Sequence, residues 1–350
     1  MPGMSLQPDT GVLLINLGTP DAPTEEALRP YLREFLSDPQ VLDMPAPLRW
    51  LLLHGFILRT RPRTSAAAYA RIWTEKGSPL LVHTEELASQ LAEELGSSML
   101  VEVGMRYGNP SLELGLERLR ERGASKFVAV PLFPQSAEAT TGSVLTRLRE
   151  LTPPHEVMRW VEPFYANPGF AEAWREAAAT ALADFAPDHV LLSYHGLPEK
   201  HIKKADPSGT HCLASAACCL GERGALAAAS GCYRAQCYAT SQALTSALGL
   251  AEDRVSTAFQ SRLGRDPWIQ PYTDDALPEL AAAGVKKLAV LCPAFAVDCL
   301  ETLEEIGIRA AEQWNALGGE SLRLLPCPNA TPALAKMLAV LARNPSDLPD

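Results

Sequence analysis

The sequence predicts an α/β protein made of two similar Rossmann-like domains, each a four-stranded parallel sheet flanked by helices. Three observations lead there. Short apolar runs ending in Gly- or Pro-containing loops recur along the whole chain. Stretches with helical periodicity separate those runs. The second half of the series also repeats the first.

In the first half the apolar runs are VLLINLGTP (12–20), MLVEVGMRYGNP (99–110), KFVAVPLFP (126–134) and EVMRWVEPF (156–164). In the second they are HVLLSYHGLP (189–198), RVSTAFQSRLG (254–264), KKLAVLCPAF (286–295) and SLRLLPCPN (321–329). Continuous runs rich in Val and Leu suit strands buried on both faces, the condition of a parallel sheet. Helical patterns fall at 24–36, 85–95, 169–183, 239–248 and 299–317. Strand alternating with helix gives parallel crossovers. VLLINLGTP and VLLSYHGLP share Val, Leu, Leu, Gly and Pro in register, and GASKFVAVPLFP matches GVKKLAVLCPAF. The duplication predicts domains at 10–168 and 169–329, with 330–350 as a tail whose helix, 330–341, docks back on the body. Ligands of such sheets bind beyond the carboxyl ends of the strands. If the halves face one another, both sets of strand ends converge on one cleft.

The 350 residues carry 31 Lys and Arg against 41 Asp and Glu, a net charge of −10. With 47% hydrophobic and 21% charged residues this is globular composition, which excludes a disordered, collagenous or disulfide-stapled chain. The acidic balance argues against nucleic acid as a partner, since phosphates need a basic stripe. No GxGxxG follows the first strand and no GxxxxGK[ST] occurs, so no nucleotide cofactor is expected. Residues 1–10 have neither a basic nor an apolar leader region, which predicts a cytoplasmic protein. The longest apolar stretch, 48–58, is interrupted by Arg49 and His54 and is too short to span a bilayer. Arg59, Arg61 and Arg63 follow it. It either rests on a membrane surface or packs on its own domain.

Of eight cysteines, Cys212, Cys218, Cys219, Cys232 and Cys237 fall within one segment. Residues 208–237 look like an insertion, and their middle, GALAAASG, is too poor in bulky side chains to form a core. Thiolates on a metal would order it, because binding free energy then becomes folding free energy. Zinc, an iron–sulfur cluster and no bound group all stay open on spacing alone: there is no Cys-x2-Cys knuckle, and Cys232-x4-Cys237 is nearer to iron–sulfur spacing. Cys292, Cys299 and Cys327 stand singly at strand ends and read as small buried hydrophobes.

His195 ends a buried strand in Ser193-Tyr194-His195-Gly196-Leu197-Pro198. It is either a general base projecting from the strand end or a hydrogen-bonded structural histidine. Asp298, Glu301 and Glu305 are spaced by three and four at the opening of a helix. Such a ladder offers a path for a divalent cation or for protons, or it complements the helix dipole. The loop 134–143, rich in small hydroxyl residues, either lines a ligand pocket or caps a helix.

Many separate segments together resemble the ferrochelatases, which insert ferrous iron into a porphyrin to make haem. They are GVLLINLGTPDAPT, YLREFLSDPQV, YARIWTEKGSPL, MRYGNPSL, PLFPQ followed by TTGS, LLSYHGLPEKHIKKADP, FQSRLGRDPWIQPYTD and CPAFAVDCLETLEEI. The resemblance runs from Gly11 to about Leu341 and implies the chelatase-like duplication of two Rossmann-like domains. It places the family's catalytic histidine and glutamate, the groups that meet the substrate iron, at His195 and Glu301, with Asp298 and Glu305 as the proton or metal relay. It further implies porphyrin contacts at Leu17, Arg61, Tyr69, Arg106 and Tyr107, and a pocket lip at about 44–70. Some bacterial members hold a [2Fe-2S] cluster on an internal cysteine insertion. By that likeness the ligands here are Cys212, Cys219, Cys232 and Cys237, with Cys218 as the alternative to Cys219 and zinc as the alternative metal. Ser136-Ala137, Ala294 and Leu17 depart from the usual family pattern at the pocket wall. Protoporphyrin IX is the favoured porphyrin; Fe(2+) is the metal substrate. Peripheral membrane contact and a homodimer stay open, as do a chelatase for cobalt or nickel and a non-catalytic porphyrin, haem or iron–sulfur sensor protein.

Overall fold

Val12, Leu13, Leu14 and Ile15 are wholly buried, and they form the middle of strand β1 (Thr10–Thr19). A computed structural model describes residues 8–215, 217–262, 264 and 266–349. Residues 1–7, on which much of the leader reading rests, lie outside the described residues, as do Leu263 and Arg265 of the FQSRLGRDPWIQPYTD stretch. The chain divides into two units. Unit 1 comprises Met1–Leu132, Glu138–Pro163 and Leu334–Asp350, and unit 2 comprises Phe133–Ala137 and Phe164–Ala333.

In unit 1, β1 lies between β2 (Leu100–Gly108) and β3 (Lys126–Pro131), and β4 (Val157–Trp160) pairs with β3, all parallel. Burial on both faces explains why β1 reads as an uninterrupted apolar run. Thr24 caps the helix Glu25–Ser37 by accepting from the Ala27 N–H. Gly18 has φ 120°, and a Cβ there would stand 1.8 Å from the Tyr107 carbonyl, so only glycine allows β1 and β2 this approach. The helix Pro332–Arg343 puts Leu334, Ala335 and Leu338 out of solvent. β9 (Ser346–Asp347), which the sequence did not signal, pairs antiparallel with β4. Two residues are too few for any periodic pattern.

In unit 2, β5 (His189–His195) lies between β6 (Val255–Gln260) and β7 (Lys287–Leu291), and β8 (Ser321–Leu324) pairs with β7, again all parallel. The strand orders β2-β1-β3-β4 and β6-β5-β7-β8 correspond position by position. The sequence repeat is therefore a repeat of topology, with β1 matching β5 and β3 matching β7.

Three helices differ from expectation. The helix expected at 85–95 begins at Pro79, which is favourable in a first turn. The helix expected at 239–248 begins at Tyr233, because Arg234 and Gln236 are buried with hydrogen-bonding partners and give no apolar signal. The stretch 299–317 opens as a ten-residue π-helix, Glu301–Ala310, and continues as the α-helix Ala311–Ala316. The apolar 48–58 stretch lies in a continuous helical run: Ala46–Leu52, Leu53–Ile57 and Leu58–Ile72. Leu53 and Leu58 pack with Leu36, while Leu48, Trp50, Leu51 and Phe56 stay 53–63% exposed. Among the described residues no helix is long and apolar enough to cross a membrane.

Candidate active site

β5 delivers His195 as its last residue, half-buried, beside the end of β6. Its Nδ1 donates to the Gly196 carbonyl at 2.6 Å. That bond fixes the neutral tautomer with the Nε2 lone pair available as a base or ligand. The Gly196 N–H donates to the Gln260 carbonyl at 2.7 Å. A Cβ on Gly196 would come within 2.9 Å of that carbonyl, so the glycine lets the two strand ends close. The imidazole also lies 6.3 Å from the Trp268 ring, centroid to centroid.

Glu301 opens the π-helix that follows β7. Its backbone carbonyl accepts from Gln260 Nε2 at 2.8 Å, and Gln260 Oε1 accepts from Ser193 Oγ at 2.6 Å. Buried Gln260 therefore ties β5, β6 and the acidic helix together. Glu305, four residues on, accepts from Ser261 Oγ at 2.5 Å. Ser261 has φ 68°, a left-handed conformation rare for a side-chain-bearing residue, and it is stored where a side chain must be aimed. Burial pushes the Glu305 carboxyl above the usual carboxylate range. The Ser261 hydrogen bond opposes this, the His195 charge opposes it, and the Glu301 charge adds to it. Glu305 thus stands close enough to His195 and Glu301 to be influenced by their charges. π-helices recur at functional sites, and the i→i+5 bonding here presents Glu301 and Glu305 on successive turns.

Asp298 is placed differently from the rest of the ladder. It is 4% exposed, and its carboxylate accepts from Thr302 Oγ1 at 2.9 Å, Asn329 Nδ2 at 2.8 Å and the Cys327 N–H at 3.3 Å. The carboxylate holds the turn into the π-helix. The sequence could not separate Asp298 from Glu301 and Glu305, because two of its partners, Cys327 and Asn329, lie beyond β8.

In unit 1, Leu17 is half-buried near the end of β1, Arg61 is exposed and Tyr69 is 8% exposed, both on the helix Leu58–Ile72. Arg106 and Tyr107 are turned into an internal network around Asp38. The Asp38 carboxylate accepts from Arg106 at 2.6 Å, the Ser143 hydroxyl at 2.7 Å and the Tyr107 hydroxyl at 2.9 Å. Burial drives the Tyr107 phenol well above its ordinary value. Sequence reasoning missed Asp38 and Ser143; nothing local to SDPQV or TTGS indicates that they meet.

The five cysteines of the insertion gather within unit 2. Cys232 precedes the helix Tyr233–Ala247 and Cys237 lies on it, with Cys232 and Cys237 at most 4% exposed. The Cys232 thiol is close enough to those of Cys212 and Cys219 to influence both, and Cys218 Sγ lies 3.6 Å from Cys219 Sγ. Gly224 of the helix Gly221–Ala229 packs so tightly that a Cβ would stand 2.2 Å from the Cys219 carbonyl. Desolvation pushes the thiols of Cys212, Cys218 and Cys237 upward; for Cys219 the Cys232 hydrogen bond is the larger cause. Arg234 opposes this by donating to Cys219 Sγ at 3.2 Å and to Cys218 Sγ at 3.9 Å. A cavity of about 360 Å³ adjoins Cys212 and Cys232. Among the described residues no three His, Cys, Asp or Glu side chains are arranged to hold a single metal ion. Cys292, Cys299 and Cys327 are each at most 2% exposed.

A duplicated parallel α/β fold of this kind is shared with solved chelatases. Among solved structures, SirB from Bacillus subtilis with Fe3+ superposes with a TM-score of 0.55 at 12% identity, over 96% of this chain and 95% of that one. The sirohydrochlorin chelatase SirB from B. subtilis subspecies spizizenii in complex with cobalt gives 0.51 at 12% identity, over 96% of each chain. At such identity the likeness concerns the fold. The ferrochelatase family profile matches residues 9–345. The ferrochelatase of Azotobacter vinelandii strain DJ is 47% identical over 340 residues, 96% of this chain and 99% of its own length. That of Coxiella burnetii strain Dugway 5J108-111 is 46% identical over 334 residues, 95% of this chain and 93% of its own. The chain belongs to the ferrochelatase family.

Proposed function

We propose that His195 and Glu301 carry the metal exchange of this chain and that Glu305 relays the protons. The family reaction is this chain's reaction: Fe(2+) enters a porphyrin, two pyrrole protons leave, and haem results. The observation that carries the residue assignment is the tie through Gln260, whose side chain joins Ser193 of β5 to the Glu301 carbonyl and whose own carbonyl accepts from the Gly196 N–H. The Nε2 lone pair of His195 accepts a pyrrole proton or meets the incoming iron. Glu301 offers a carboxylate to the same cation. Glu305, whose carboxyl is pushed upward, takes up protons more readily than a solvated glutamate and passes them along the helix. Asp298 is assigned to hold the turn that sets the start of that relay. Porphyrin contact falls to Leu17, Tyr69 and the exposed guanidinium of Arg61, which suits a propionate. Arg106 and Tyr107 act through the Asp38 network. Protoporphyrin IX, rather than coproporphyrin III, is proposed as the porphyrin.

The test is anaerobic purified protein given Fe(2+) and porphyrin, followed by loss of porphyrin fluorescence. Metalation is expected in the unmutated chain and its loss in His195→Ala. Undiminished metalation in His195→Ala would overturn the assignment.

A second reading concerns the insertion. The gathered thiols and the adjacent guanidinium fit a group held by thiolates, and we assign Cys212, Cys219, Cys232 and Cys237 to a [2Fe-2S] cluster. The proximity of Cys219 to both Cys232 and Arg234 favours it over Cys218. Such a group, when bound, supplies folding free energy to the segment and a one-electron centre. Visible absorption with iron and sulfide analysis tests this; a colourless protein holding zinc overturns it. The exposed Leu48, Trp50, Leu51 and Phe56 beside Arg49 and Arg59 support peripheral contact with an anionic membrane. Trp50→Glu with Phe56→Glu is expected to abolish co-sedimentation with anionic vesicles.

A further inference from the structure

One side chain joins the cysteine segment to the catalytic histidine. Tyr233 begins its helix directly after Cys232 and is 7% exposed. Its hydroxyl donates to the His195 backbone carbonyl at 2.7 Å, and the wholly buried Cys237 thiol lies one helical turn on from Tyr233. The His195 carbonyl and the Gly196 N–H belong to one peptide unit, which is planar and rigid. Tyr233 grips that plane at its oxygen, and the Gln260 carbonyl grips it at its nitrogen at 2.7 Å. The next carbonyl, that of Gly196, is the acceptor for His195 Nδ1 at 2.6 Å. The direction in which the imidazole presents Nε2 therefore depends on a peptide clamped from both sides.

We propose that Tyr233 is a positioning residue for metal insertion, transmitting the order of the Cys232–Cys237 turn to the imidazole of His195. The proposal rests on His195 being the base or ligand assigned above. A general core tyrosine would affect stability; this one sets the orientation of another side chain. Loss of its hydroxyl frees one end of the peptide plane, weakens the Nδ1 bond and mixes the imidazole tautomers, while porphyrin binding is left alone.

The test uses Tyr233→Phe in the full chain, which keeps the ring and its packing. In steady-state Fe(2+) insertion, kcat is expected to fall about tenfold with KM for porphyrin within about twofold, a share of the general-base contribution. With 15N-labelled histidine, the ring signals of His195, assigned through His195→Ala, are expected to shift toward tautomer averaging while those of the remaining histidines hold. Cys237→Ala loosens the Cys232–Cys237 turn whose order Tyr233 transmits and is expected to shift the same His195 signals. It carries the spectroscopic test if Tyr233→Phe does not fold. An unchanged kcat in Tyr233→Phe, or unmoved His195 signals in a folded variant, overturns the proposal. If His195→Ala is inactive and Tyr233→Phe fully active, only the role of Tyr233 fails. If His195→Ala is itself fully active, the site assignment fails first.

Discussion

Replacing Ser261 by alanine removes the hydroxyl that Glu305 Oε2 holds at 2.5 Å. A hydrogen bond to a charged group contributes about 1.5–3 kcal/mol, and one pKa unit corresponds to about 1.4 kcal/mol. Glu305 should therefore rise by about one to two units from a value that burial already pushes up. If the relay needs the ionised carboxylate, the acid limb of kcat against pH moves upward by about the same amount. The assay is anaerobic insertion of Fe(2+) across closely spaced pH values. Ser261→Gly separates chemistry from strain. Both variants lose the hydroxyl, but glycine also relieves the φ of 68°, which costs a side-chain-bearing residue about 1 kcal/mol. The two should share the limb shift, with the glycine variant the more stable. The sign for stability follows from Glu305 standing above its unfolded value. Its contribution favours the fold below about pH 4 and is lost as pH rises through the folded value. Ser261→Ala enlarges that loss at neutral pH. A limb that moves by less than about 0.3 unit in both variants would refute a role for Glu305 in the relay.

Glu301→Gln should lower kcat by about 10²–10⁴-fold with the fold unchanged by circular dichroism, since it removes charge and keeps shape. Asp38→Ala leaves a half-buried guanidinium and two hydroxyls without this acceptor and should cost about 1–3 kcal/mol in denaturant unfolding. Burial raises the Asp38 carboxyl, but Ser143, the Gln40 N–H, Tyr107 and the Arg106 charge together hold it below the usual value. Its stabilisation is therefore present above about pH 4 and lost as pH falls through the folded value, a slope that Asp38→Asn should lack. Cys219→Ser should abolish bound iron in purified protein, whereas Cys218→Ser should retain it. Gly224→Ala, which drives a Cβ against the Cys219 carbonyl, should reduce iron content in the same measurement.

β1, β3, β5 and β7 were legible in the sequence because parallel strands buried on both faces leave apolar runs that need no partner to be recognised, whereas β4 alternates buried and exposed residues and β8 has no buried one, so their runs carried less of that signal. The repeat was legible too, since VLLINLGTP and VLLSYHGLP meet the same demand at the centre of each sheet. β9 and the early start of the helix at Tyr233 were not. The first is too short for a pattern, and the second is built from Arg234 and Gln236, polar residues buried through partners distant in sequence.

The sequence by itself determined the duplicated α/β architecture, the family, and the candidates His195 and Glu301, because strand composition and ordered motifs are local properties of the chain. The tertiary structure decided how the candidates divide. It turned Asp298 toward Asn329 and Cys327, spent Arg106 and Tyr107 on Asp38, aimed Ser261 at Glu305, and set Tyr233 against the His195 carbonyl. Each of those pairings closes across elements far apart in the chain, where hydrogen-bond geometry and desolvation, not residue type or spacing, choose the partner.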